Sequence, residues 1–199
     1  MRYSQDHRSV TRAKIVSVAS KAMRARGPDG IGVAMVMAEA GLTHGGFYAH
    51  FRSREALLVA ALDSAFEEAR RRFLTAGEGQ TRQQHLEDFV DYYISASHRD
   101  SLESGCPLVA FGSDMPRQSP ALRAAYDRGF QDMVRGLARL LSTPRPEDGE
   151  GGAASILAEM AGAVTLSRAV SDQEISNKIL QQGRTSIKAR LLSALGSNP

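Results

Sequence analysis

The sequence predicts an all-α protein: an N-terminal three-helix unit holding a helix-turn-helix, then a helical C-terminal domain, about nine helices in total. Three observations lead there. Apolar residues recur at i, i+3, i+4 and i+7 along nearly every segment, Gly and Pro punctuate those segments, and no run alternates with the period of two that a half-buried strand needs. There is no internal repeat to suggest a solenoid.

In chain order, Ile15, Val18, Ala19, Ala22 and Met23 form the apolar face of a first helix that Gly27-Pro28 stops. Val33 to Ala40 reads as a short second helix ended by Gly41, and a third spans about Thr43 to His50. A long amphipathic helix follows, with Leu58, Ala61, Leu62, Ala65, Phe66, Ala69 and Phe73 on one face and a break at Gly77-Glu78-Gly79. Thr81 and Gln84 have capping-box spacing ahead of a helix carrying Leu86, Phe89, Val90, Tyr93 and Ile94. After a loop near Arg99–Gly105 comes a short apolar piece, Cys106–Ser113. Ser119-Pro120 then supplies an N-cap and a proline at the first helical position for a helix showing Leu122, Tyr126, Phe130, Met133, Leu137 and Leu141. The Pro-, Gly- and acid-rich run Ser142–Gly152 reads as a surface loop. Two helices close the chain, one with Ile156, Leu157, Met160, Ala161 and Val164, the other opened by Ser171 and Glu174 and carrying Ile175, Ile179, Ile187, Leu191 and Leu195.

Charge is distributed unevenly along this layout. Residues 1–54 hold nine Lys/Arg against three Asp/Glu, whereas the remainder is slightly acidic. A basic head on an acidic body points to a localised polyanion site. No apolar run reaches the roughly 18 residues of a membrane span, and the first residues, MRYSQDHR, lack the apolar core of a signal peptide, so the expected location is cytoplasmic. One cysteine among 199 residues leaves no intrachain disulfide and fits a reducing compartment. The five histidines have no metal-ligand spacing, and no Ser/His/Asp arrangement or phosphate-cradling glycine loop is present. Neither metal nor cofactor is therefore expected.

The stretch Val33–Phe51 has helix-turn-helix spacing. Gly41 stands where the chain must turn sharply, and glycine there adopts positive φ without a Cβ clash. Val36, Ala40, Leu42 and Phe47 can pack the two helices together, and Thr43 is placed to cap the second. The string AGLTHGGFYAHF (Ala40–Phe51), followed by Ser53-Arg54-Glu55-Ala56-Leu57-Leu58, resembles the core signature of TetR-family regulators. The resemblance covers roughly residues 10–65 and implies a DNA-binding domain at 1–54 and an effector-binding and dimerisation domain at 55–199. Thr43 and His44 are placed for base contacts. Gly45 and Gly46 give up side-chain readout, and two glycines in so short a helix suggest close backbone approach to DNA. Tyr48 and His50 resemble the family's phosphate-contacting pair, and Arg54 stands where the family usually has lysine. Gly32 replaces the common threonine cap of the second helix, and Met37 a usual alanine. Arg2 and Arg8 read as tail residues.

What the resemblance implies for the body is a homodimer through the last two helices, double-stranded operator DNA as partner, and a small apolar or aromatic effector whose binding releases the operator. Gly162, Ala163, Ser167, Gly183, Ser186 and Ala189 are small enough to let helices approach closely at such an interface, or within one subunit. Candidate effector-pocket residues are Phe66, Phe89, Tyr92, Tyr93, Cys106, Phe111, Met115, Phe130 and Met133, although aromatics at helical spacing are also what a plain core contains. Cys106 precedes Pro107 at a helix start, where its thiol pKa would fall, which opens an alternative: a thiol-based redox or electrophile-responsive regulator. A cysteine-dependent enzyme built on Cys106 and His98 is a further alternative, with no other catalytic signature behind it.

Overall fold

The computed structural model describes residues 2–75, 79–141 and 146–196, and side chains from residue 7 onward except 146–148 and 192–196. Gly77 and Glu78 of the expected break, and Ser142–Arg145 of the expected loop, lie outside these residues. Among the described residues there is no strand, and no helix is long and apolar enough to cross a membrane. The elements are α1 (Arg2–Arg26), α2 (Val33–Glu39), a 3-10 recognition segment (His44–Ala49), α3 (Arg54–Leu74), α4 (Arg82–Tyr93), α5 (Ala96–Asp100), α6 (Pro107–Phe111), a 3-10 turn (Met115–Arg117), α7 (Pro120–Leu141), α8 (Pro146–Ala169) and α9 (Gln173–Gly196).

The long α3 is the axis. Ser53 caps it, its Oγ accepting from the Ala56 N–H at 3.1 Å, and its apolar face buries Leu58, Ala61, Leu62, Ala65, Phe66, Ala69 and Phe73 as the periodicity predicts. One end of α3 packs on α1 and its length packs on α7, so it belongs to head and body alike. The α3–α7 contact is unusually close because α7 presents glycines. A Cβ on Gly129 would sit 2.2 Å from the Phe66 ring, and one on Gly136 would sit 2.4 Å from Leu74. Outside α7 lie α8 and then α9, which also packs back on α4.

Several local expectations are met. The Thr81/Gln84 capping box forms reciprocally, with bonds of 3.2 and 2.9 Å, and Gly41 has φ +70°. Others are corrected. The first helix starts at Arg2, well before the apolar periodicity begins, and Arg8 is no loose tail residue, because its guanidinium donates to the Ala49 carbonyl. Residues 146–152 are the first two turns of α8 rather than loop. Pro146-Glu147-Asp148 is a helix start by composition, with proline in the first turn and acids near the positive end of the helix dipole. The cap of α9 is Asp172, whose Oδ1 accepts from Glu174 and Ile175 N–H at 2.8 and 3.1 Å, in place of Ser171.

Candidate nucleic-acid interface

The head is assembled around Ile15, Met23, Val36, Met37, Phe47 and Phe51, all buried. After α2 the chain reverses through Gly41, with Gly41 N–H on Ala38 O and Leu42 N–H on Met37 O, and Thr43 enters the next element in extended conformation. That element is a single 3-10 segment rather than the expected α-helix, and the Thr43 side chain makes no capping bond. The tighter winding follows from Gly45-Gly46, which hold the α conformation poorly. Only Phe47 of the segment is fully buried, stacked on Phe51 at 5.7 Å and edge-on to Tyr48 at 5.3 Å.

Thr43, His44, Gly45 and Tyr48 are all exposed, Tyr48 to 70%. A Cβ on Gly45 would touch nothing within 4 Å, so no neighbour inside the protein demands glycine there. One on Gly46 would meet Met37 Cε at 3.7 Å, so the large Met37 fills space beneath a residue without a side chain. His50 is half-buried, and its Nδ1 has no hydrogen-bond partner among the described residues. The Arg54 guanidinium turns inward, donating to Pro28 O at 2.6 Å and Ile31 O at 3.1 Å, which ties α3 to the α1–α2 loop. Arg52 is exposed instead, and Arg12 covers the Phe51 ring at 4.7 Å from its centroid. Sequence reasoning missed Arg52; its position just before the Ser53 cap of α3 was the available signal.

The head is tied to the body through charge. Arg24 of α1 is buried and donates to Glu68 of α3 at 2.7 Å and to the Gly105 carbonyl at 3.4 Å. Glu68 also takes Arg72, and the carboxyl is held below its ordinary pKa by these guanidinium partners despite the opposing effect of burial. Arg72 reaches the neighbouring Ser104 carbonyl at 3.0 Å. On the far side of the same loop, Arg168 of α8 donates to His98 O and Arg99 O, and Arg99 donates to Ser176 of α9. Residues 101–106 are thus held from α1 and α3, and α5 just before them from α8.

Cys106 lies inside this grip and is fully buried. Its N–H donates to His98 Nε2 at 2.9 Å, while His98 Nδ1 donates to Tyr93 O at 2.6 Å. Burial pushes the thiol pKa up, overriding the expected lowering at a helix start. Burial also lowers His98 to about 4, so the imidazole is neutral near pH 7, as this bonding requires.

The candidate pocket residues do not converge on one cavity. Phe66 and Met133 border an open cleft of about 420 Å³ between α3 and α7, which Arg70, Arg128 and Asp132 also line. Phe89 and Tyr92 border another, of about 280 Å³, between the end of α3 and α4. Tyr93, Cys106, Phe111 and Met115 are buried in the common core, and Phe130 packs against it. Of the small residues, Ser167 is buried, Gly183 lies so close to Ala163 that an added Cβ would come within 3.2 Å of it, and both serve the α8–α9 contact inside one chain.

This architecture matches known proteins along its length. Residues 15–61 fit the model of bacterial regulatory proteins, tetR family, and residues 83–182 fit that of the tetracyclin repressor-like C-terminal domain. The HTH-type transcriptional repressor NemR of Escherichia coli K12 is 27% identical over 138 residues, spanning 68% of this chain and 69% of that protein. The crystal structure of E. coli NemR in its reduced form superposes with a TM-score of 0.72 at 23% identity, over 90% of this chain and 95% of that one. A TetR transcriptional regulator from Chloroflexus aurantiacus J-10-FL gives 0.71 at 26% identity, over 96% and 97%. The relatives are transcription regulators rather than enzymes, which answers the cysteine-enzyme alternative. The chain belongs to the tetR family of bacterial regulatory proteins, an all-α transcriptional regulator with an N-terminal helix-turn-helix.

Proposed function

We propose that the chain is a dimeric repressor that holds operator DNA through the Thr43–Tyr48 surface and releases it when a small molecule binds the body. The observation that carries the DNA reading is the exposed, side-chain-free Gly45, which no internal contact explains and a closely approaching backbone partner does. Thr43 and His44 read base edges, while Tyr48, the outer edge of His50 and Arg52 meet phosphates. The Arg54 side chain is occupied by loop carbonyls, so its part in DNA binding is to fix the α3 N-terminus, whose free N–H groups face a phosphate. The NemR relative is a transcriptional repressor, and repression carries over here as part of the proposal.

Dimerisation through α8 and α9 is supported by Leu166 and Ile175, 59% and 49% accessible, and by the uncharged outer stripe Ala158, Gly162, Thr165 and Ala169. The thiol-responsive alternative draws on the NemR structure being of a reduced form. In this chain, however, an oxidant would reach the buried Cys106 only after the 101–106 loop had left Arg24 and Arg72. A ligand-responsive repressor asks for no such opening.

The test is a gel shift on fragments selected from the source genome, run at two salt concentrations. Tyr48→Ala should weaken binding to every fragment and lower the salt slope, whereas His44→Ala should change sequence preference. Wild-type affinity and preference in both variants would overturn the reading.

A further inference from the structure

The cleft between the end of α3 and α4 combines features of a ligand site. Its walls are aromatic: Phe73 lies 5.9 Å from Phe89 and 5.8 Å from Tyr92, centroid to centroid, and Tyr92 is 40% accessible at the mouth. His85 belongs to the same lining, is only 5% accessible, and its Nε2 has no hydrogen-bond partner among the described residues. A buried ring nitrogen without a partner costs on the order of 1–3 kcal/mol and calls for an explanation. Of the two charged groups at the cleft, Arg72 has a charged partner and Asp88 a neutral one. Arg72 is held by Glu68 and Ser104 O, and Asp88 accepts from Gln80 at 2.5 Å.

We propose that this cleft binds a neutral phenol of one or two rings, its ring against Phe73, Phe89 and Tyr92 and its hydroxyl on His85 Nε2. Size agrees: a cavity of about 150 Å³ accepts benzene, and about 280 Å³ leaves room for two fused rings. A carboxylate is disfavoured, because Glu68 already pairs with Arg72 and because Asp88, held by the neutral Gln80 amide, keeps its negative charge. A hydroxyl serves either tautomer of the imidazole, accepting from or donating to Nε2. Burial keeps His85 below its ordinary pKa and hence uncharged near pH 7. The inference rests on the ligand-responsive reading and gives it a place. Arg72 joins Tyr92 (3.4 Å) to Ser104 O, one residue before the carbonyl that holds Arg24 of the head.

The experiment is calorimetric titration of the full chain with 2-naphthol and with naphthalene. We expect 2-naphthol to bind about tenfold more tightly, one hydrogen bond to a buried partner, and His85→Phe to erase that difference while retaining naphthalene. Should His85→Phe fail to fold, Tyr92→Ala at the accessible mouth should weaken both compounds several-fold. No binding of 2-naphthol to the wild type overturns the proposal, as does an unchanged preference in His85→Phe or unchanged affinities in Tyr92→Ala. The regulator reading fails separately, if the ligand-free protein does not shift selected genomic fragments.

Discussion

At the scale of single residues, the two kinds of glycine in this chain have opposite meanings. Gly45 is open on every side, so Gly45→Ala removes backbone entropy from the unfolded chain and meets no clash. Thermal denaturation should find the variant as stable as the parent or slightly more so, while its operator affinity falls at least tenfold; equal affinity would remove the close-approach argument. His98 makes a second residue-level prediction. Its folded pKa of about 4 lies below the ordinary value of 6.5, so the unfolded chain binds more protons between those values. The stability linked to neutral His98 is complete above pH 6.5 and is lost as pH falls toward 4, by about 3 kcal/mol at most. Burial shifts His85 the same way. Denaturant midpoints at pH 7.5 and 4.5, compared between wild type and His98→Gln, should show the smaller pH dependence in the variant.

At the scale of elements, Gly129 and Gly136 let α7 lie directly on Phe66 and Leu74 of α3. Gly129→Ala should cost about 1–3 kcal/mol through overpacking, read as a lowered denaturant midpoint. A neutral result would mean that Phe66 swings aside into the adjoining cleft. This scale also shows what the sequence made legible. The periodicity of α3, the Thr81/Gln84 box and the Gly41 turn are local signals, and each survives in the fold. The first two turns of α8 are hard to read from sequence because Gly149, Gly151 and Gly152 argue for a loop, while Pro146-Glu147-Asp148 argue for a helix start. The inward turn of Arg54 was illegible, since its acceptors are carbonyls 23 and 26 residues away. His85 was passed over for a similar reason. It stands on the face of α4 that also buries Leu86 and Phe89, and only the fold reveals that its Nε2 lacks a partner among the described residues.

At the scale of the whole molecule, the head and body are one mechanical unit. α3 is shared between them, Arg24 fastens α1 to the loop that α3 also holds, and α8 holds α5 just before that loop. On the proposed reading, a ligand that shifts this loop would change the stance of the head, and by linkage operator DNA would weaken that ligand by the same factor. Two such heads, joined through Leu166 and Ile175 of each chain, would meet the major groove on one face of the duplex. Replacing Leu166 and Ile175 together by lysine should yield monomers in sedimentation experiments and abolish tight operator binding. The most direct measurement is a hydroxyl-radical footprint on a selected genomic fragment at a known stoichiometry. The account predicts two chains per fragment and two protected segments centred about 34–36 Å apart, or a multiple of that. A single protected segment bound by one chain would contradict it.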